Sequence, residues 1–189
     1  MTLKNLILNT RSYRRFRQEV PVSMEVLREM VDAARLSPSA RNMQPLKYML
    51  FNDPESCAKI FPALGWAGYL KEWEGPAEGE RPAAYIIQLA DLELTGNWWC
   101  DDGIALQSML LTATEKGFGG CIIGSVQQGM LRSTLGIPER FKILQVLALG
   151  KPAEQVVIEE VKEGDIRYWR DDRQVHHVPK RSLDELIIG

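Results

Sequence analysis

The stretch DDGIALQSMLLTATEKGFGGCIIG, residues 101–124, decides the fold. From Ile104 to Ala113 it is apolar on nearly every face of a helix. A helix of that kind is buried all round, because a surface helix keeps a polar face for water. In a chain of 189 residues it must lie at the centre or in a subunit interface. The pattern predicts a helix over 98–116, stopped by Gly117, since glycine readily takes the left-handed conformation that closes a helix. A short strand, Cys121–Ile123, follows. The glycines nearby invite a dinucleotide-binding reading, but a Rossmann fingerprint follows a strand and opens a helix. Here they follow a helix and open a strand. Gly124, just past the strand, is the glycine able to let backbone N–H groups meet a ligand.

The same logic extends outward. Ala84–Ala90 (AYIIQLA) and Phe141–Leu149 (FKILQVLAL) read as buried strands. Ser23 can cap a helix that runs to Leu36, with Glu25 at its positive end and Val26, Leu27, Met30, Val31 and Ala34 on one apolar face. Ser37-Pro38 ends it. Residues 3–9 can form a short helix, 46–51 a strand and 128–135 another short helix. A further helix follows Asp53-Pro54, with proline in its first turn. EWEGPAEGERP, residues 72–82, is a surface loop. Strands and helices alternate without a regular βαβ repeat. The fold class is therefore α+β, one domain over 1–189, with helices packed on a sheet. The tail, from about residue 155, is polar and extended with little core of its own, and is expected to wrap a second subunit.

Composition narrows the function. At 45% hydrophobic and 25% charged residues the chain is an ordinary folded protein, neither disordered nor a coiled coil. A net charge of -2 gives no whole-surface attraction to nucleic acid. No apolar run approaches the ~20 residues that span a bilayer, so no membrane partner is expected and the cytoplasm is the default location. Cys57, Cys100 and Cys121 are scattered and odd in number, a poor disulfide framework. They read as buried or idle thiols, with a thiol redox role as the rival.

Four clusters carry chemistry. Arg11, Ser12, Tyr13 and Arg14 offer two guanidiniums and a hydroxyl, a set that can bind phosphate or simply make a solvated basic turn. Pro38, Ser39, Ala40, Arg41, Asn42 and Gln44 form a loop of small and amide-bearing residues, fit to hydrogen-bond a planar heterocycle or merely to connect helix and strand. Ile123 and Gly124 close the strand. Lys180 and Arg181 place two cations near the C-terminus, where they could complete a phosphate site begun at Arg11. His176 and His177 are adjacent, so in an extended segment they face opposite ways, and no metal site is expected. There is no GxSxG, HExxH or P-loop, nor a convincing acid–base pair. That is the expected state when a cofactor carries the chemistry.

Taken in order, RSYRRF at 11–16, PSARNMQP at 38–45, the helix and glycines of 101–120, IIGS at 122–125, ALGKP at 148–152 and VPKR at 178–181 resemble the nitroreductase family. The likeness covers nearly the whole chain, and PSxxNxQP is its most specific part. It implies a sandwich with a central, mixed but mainly antiparallel sheet flanked by helices, in an intertwined homodimer with FMN at the interface. By that likeness Arg11, Ser12, Tyr13 and Arg14 contact the flavin, Arg14 near its N1/C2=O edge. Pro38, Ser39, Ala40, Arg41, Asn42 and Gln44 reach it from the other subunit. Ile123 and Gly124 lie near N5/O4, and Lys180 and Arg181 near the phosphate. No residue acts as a catalytic nucleophile. NADH or NADPH would supply hydride, and a small-molecule acceptor such as a nitroaromatic, quinone or flavin would take it. Ene-type reduction, dehalogenation, flavin fragmentation and non-enzymatic flavin binding are the alternatives on the same fold. Two departures stand out. Thr10 replaces an arginine common in relatives, and the middle region is short, with Trp66, Tyr69 and Trp73 as candidate pocket aromatics or ordinary packing residues.

Overall fold

In the computed structural model, which describes residues 1–189, the chain runs α1 (Leu3–Asn9), β1 (Phe16–Arg17), α2 (Met24–Arg35), β2 (Leu46–Phe51), α3 (Pro54–Ile60), β3 (Ala84–Asp91), α4 (Asp101–Glu115), β4 (Gly119–Ile123), α5 (Gln128–Leu135), β5 (Phe141–Pro152), β6 (Val156–Glu160), β7 (Trp169–Arg170), β8 (His176–Lys180) and α6 (Leu183–Leu186). Local chemistry sets the boundaries. Ser23 and Asp53 accept hydrogen bonds from the Val26 and Ser56 N–H groups, which caps α2 and α3. Gly117, at φ 77°, stops the chain just past α4 as expected. The start of α4 is three residues later than the sequence pattern indicates. Trp99 sits at φ 48°, a left-handed backbone that a helix cannot continue through.

The main sheet has the order β1-β5-β3-β2, with β4 also on β5, and every one of these strand pairs is antiparallel. Parallel pairing enters at the Ser12–Gly120 bridge and between β6 and β8. β3 is buried along its whole length because helices cover both faces of the sheet. Ile86, Leu147 and Leu149 face α2 and α4, in a core with Leu27, Met30, Leu106 and Met109. Tyr85, Ile87, Val146 and Ala148 face the opposite way, onto Ile60, Leu64 and Leu131. The register of β3 on β5 shifts between Gln88 and Leu89, where Gln145 and Ile143 are the successive partners. That extra residue lets Ile143 join the same core as Val146 despite its odd spacing.

Two expectations need correction. The central helix is not buried all round by its own chain. Ala105, Leu106, Met109, Leu110 and Ala113 are buried, while Ile104, Ser108, Leu111 and Thr112 remain part-exposed on the other face. The tail, in turn, is not simply extended with little core of its own. Residues 156–180 form their own three-stranded sheet, β6-β8-β7, and bury His176 against the body of the chain. Residues 162–167 and 180–189 stay exposed throughout.

Candidate functional site

Two clusters of candidate residues lie at opposite ends of α4. Arg11–Arg14 pass beside its C-terminal end. Thr10 donates to Thr114 at 2.9 Å, and the Tyr13 N–H donates to the Gly120 carbonyl at 3.0 Å. Glycine is required there, since a Cβ at Gly120 would lie 2.6 Å from the Ala148 carbonyl oxygen. Thr10, the departure from relatives, is thus a buried tie between α1 and α4 rather than an anion ligand. Tyr13 packs its ring on Gly119 and donates to the Asn9 carbonyl at 3.2 Å.

The charges at this end are unevenly matched. Arg15 is neutralised by Glu80, and Arg170 by Glu154 at 3.0 Å. Arg11 and Arg14 make no ion pair. Arg11 spends Nη2 on the Ile7 carbonyl at 2.8 Å, and its Nε is buried with no partner. Arg14 donates to the Ser12 carbonyl at 3.3 Å and to His176 Nε2 at 3.2 Å. Two unneutralised guanidiniums, one with an orphaned buried donor, fit a ligand rich in acceptors and negative charge.

The 38–44 loop lies at the other end of α4. Asp101, only 4% exposed, accepts from the Ser39 hydroxyl at 2.6 Å and the Ala40 N–H at 2.9 Å. The loop is strained. Arg41, Asn42 and Gln44 all have positive φ, at 51°, 54° and 49°. Such conformations cost energy and concentrate where a loop holds a ligand. Pro38, Arg41, Asn42 and Gln44 are exposed, and Arg41 lies over the Trp99 ring at 5.7 Å. A cavity of about 380 Å³ opens beside the loop between Ala34, Leu46, Tyr48 and Ala105.

α4 has 15 residues, so its ends are about 20 Å apart at 1.5 Å per residue. One chain therefore does not bring the two clusters together. Ile123 is 4% exposed in the core, so only its backbone faces outward, whereas Gly124 is open and uncrowded. Lys180 and Arg181 are exposed, with Arg181 paired to Glu185 at 2.9 Å. They stand at the far end of β8 from His176, about 13 Å along the strand.

The sequence reading missed Asp101 and His176. Asp101 reads locally as an ordinary first-turn carboxylate. His176 is buried because period-two alternation points it inward, while His177 points outward to Glu159 at 2.7 Å and stacks on Trp169 at 4.8 Å. Burial, then the adjacent Arg14 and Arg170, hold the His176 pKa down at about 4. Of the candidate aromatics, Trp66 packs on Phe61 at 5.8 Å, Tyr69 on Tyr168 at 4.9 Å, and Trp73 lies under Arg170 at 4.1 Å. Of the two thiols offered for a redox role, Cys100 is exposed and Cys121 is buried, as is Cys57. Burial pushes the Cys57 thiol up to about 11 and raises that of Cys121, which leaves both protonated at neutral pH.

The sequence profile described as the nitroreductase family matches residues 7–69 and 95–151. The chain belongs to that family and is an oxidoreductase. It is similar to the NADH dehydrogenase of Thermus thermophilus, 30% identical over 180 residues that cover 80% of this chain and 87% of that protein. The structure of an FMN-dependent nitroreductase from Clostridium difficile superposes with a TM-score of 0.66 at 22% identity, covering 81% of this chain and 89% of that one. The NADPH:FMN oxidoreductase of Vibrio harveyi, solved with NAD+, superposes with a TM-score of 0.63 at 25% identity, over 80% and 69% of the two chains. No helix is long and apolar enough to cross a membrane.

Proposed function

We propose that the protein is a homodimeric, FMN-dependent NAD(P)H oxidoreductase acting on a small electron-poor acceptor such as a nitroaromatic, a quinone or a flavin. The observation that carries this reading is the division of the site between the two ends of α4. Two copies packed antiparallel through the part-exposed Ile104–Leu111 face would bring the Arg11–Arg14 end of one to the 38–44 end of the other. They would bury the apolar surface that one chain leaves open.

Bound FMN would supply the chemistry, accepting hydride from NADH or NADPH and passing it to the acceptor. The residues then have defined tasks. Arg14 faces the negative charge that reduction builds at the N1/C2=O edge. Arg11 offers its orphaned Nε–H. Ser39, Ala40, Asn42 and Gln44 of the second subunit hold the ring through a loop already fixed by Asp101. The open backbone at Gly124 would serve the N5/O4 edge. Lys180 and Arg181 serve the phosphate once Arg181 is released from Glu185. The visible absorbance spectrum of the purified protein, recorded before and after NAD(P)H, tests the reading. A flavin band bleached by NAD(P)H and restored by a quinone supports it. A colourless protein that takes up no FMN refutes it.

A further inference from the structure

Arg14 is anchored more completely than a phosphate-binding arginine needs to be. Its Nη1 donates to the Ser12 carbonyl and to His176 Nε2, at 3.3 and 3.2 Å. Its guanidinium carbon lies 4.8 Å from the centroid of the Tyr168 ring, and that ring lies 5.2 Å from His176. Its backbone N–H donates to Glu154, which also accepts from the Arg15 N–H at 3.2 Å. Glu154, Tyr168 and His176 all follow β5 in the chain, in the segment that builds the small C-terminal sheet. A guanidinium has donors only, so His176 Nε2 must present its lone pair and the ring proton must sit on Nδ1. That Nδ1 is buried without a partner. The cost of an orphaned donor is accepted here in an arrangement whose visible result is one fixed position for Arg14.

We propose that His176, braced by Tyr168, is a positioning residue that seats the Arg14 guanidinium, so that the C-terminal sheet tunes the reduction potential of the flavin. The inference rests on the FMN reading above and goes beyond it. His176 is fully buried, against Arg14 and Tyr168. It acts through Arg14 by removing the alternative rotamers that a long side chain would otherwise populate. The imidazole stays neutral and Arg170 is matched by Glu154, so the uncompensated cations at this end are Arg11 and Arg14, and of these only Arg14 is held by His176.

The test is a redox titration of the FMN-loaded protein in five forms: parent, His176→Phe, His176→Gln, Arg14→Gln, and Arg14→Gln with His176→Phe. Phenylalanine keeps a ring against Tyr168 and cannot accept a hydrogen bond, whereas glutamine restores an acceptor. His176→Phe is expected to lose about tenfold in preference for reduced over oxidised FMN, a fall of about 30 mV for a two-electron couple. His176→Gln should recover most of it. The double variant should lie no lower than Arg14→Gln alone, since removing the intermediary leaves nothing to position. Tyr168→Leu, which removes the brace and the long contact from the Tyr69 N–H at 3.4 Å but leaves the Arg14–His176 hydrogen bond in place, is the second variant should His176→Phe not fold, and its potential should also fall. Unchanged potentials in the His176→Phe and Tyr168→Leu variants, or fully additive shifts in the double variant, overturn the proposal. Failure of the parent itself to bind FMN is a different result and refutes the flavin reading.

Discussion

Asp101→Ala is the sharpest test of how the 38–44 loop is held. One carboxylate secures both ends of the loop. Its oxygens take the Ser39 hydroxyl and the Ala40 N–H at 2.6 and 2.9 Å, and the Ser39 oxygen in turn accepts from the Gln44 N–H at 2.9 Å. Alanine removes two hydrogen bonds to a carboxylate, each about 1.5–3 kcal/mol. The Ser39 hydroxyl can turn to water, which recovers part of the loss, so a net cost of about 3 kcal/mol is expected. In a chain of this length that lowers the melting temperature by roughly 6–12 °C, measured at one protein concentration because a dimer melts in a concentration-dependent way. Asp101→Asn keeps the shape and one acceptor but turns a donor towards Ser39, and should cost only about 1 kcal/mol. FMN affinity, read by fluorescence titration, should fall in the same order although Asp101 offers nothing directly to a ligand. An Asp101→Ala protein that melts within a degree of the parent and binds FMN equally well would show that something other than this carboxylate holds the loop.

Three further outcomes are expected. Lys180→Ala with Arg181→Ala should weaken FMN binding by about 1.5–3 kcal/mol for each charge-assisted bond lost, and riboflavin binding far less; equal losses for both ligands would remove these cations from the phosphate site. Leu111→Asp, which puts a charge on the uncovered face of α4, should turn the proposed dimer into a monomer in sedimentation and abolish flavin binding together with it, whereas a folded parent monomer at micromolar concentration contradicts the shared site. His176 gives a pH signature. The unfolded imidazole protonates near 6.5 and the folded one only at about 4, so the unfolded state binds the proton first and stability drains away as pH falls from 6.5 to 4, by at most about 3 kcal/mol. His176→Gln should lack that component, and an identical acid profile for parent and variant would show that the folded imidazole is not held neutral.

Most secondary structure was legible because local physics fixes it. Ser23, Asp53 and Gly117 act on groups within four residues of themselves, and the caps and the stop appear where those residues stand. The unbroken apolar run of β3 required cover on both faces, and helices provide it. The start of α4 was misplaced because Trp98 and Trp99 suit the apolar pattern, yet Trp99 takes a backbone conformation that pattern does not report.

By itself the sequence determined the α+β class, most of the helices and strands before the tail and the ordered motifs that mark the family, since each depends on residue type at short spacing, whereas the small C-terminal sheet was not legible. Which motifs share a site was decided by the tertiary structure alone. The 15 residues of α4 hold Arg14 and Asn42 at its opposite ends, a fact about a rigid rod and not about either motif. The fold likewise chose His176 over His177 as the partner of Arg14, through the direction in which one strand presents its alternate side chains. It also made Asp101 the anchor of a loop some sixty residues away. Hydrogen bonds and charge pairs form between whatever the packed core brings within reach, and no spacing along the chain encodes that distance.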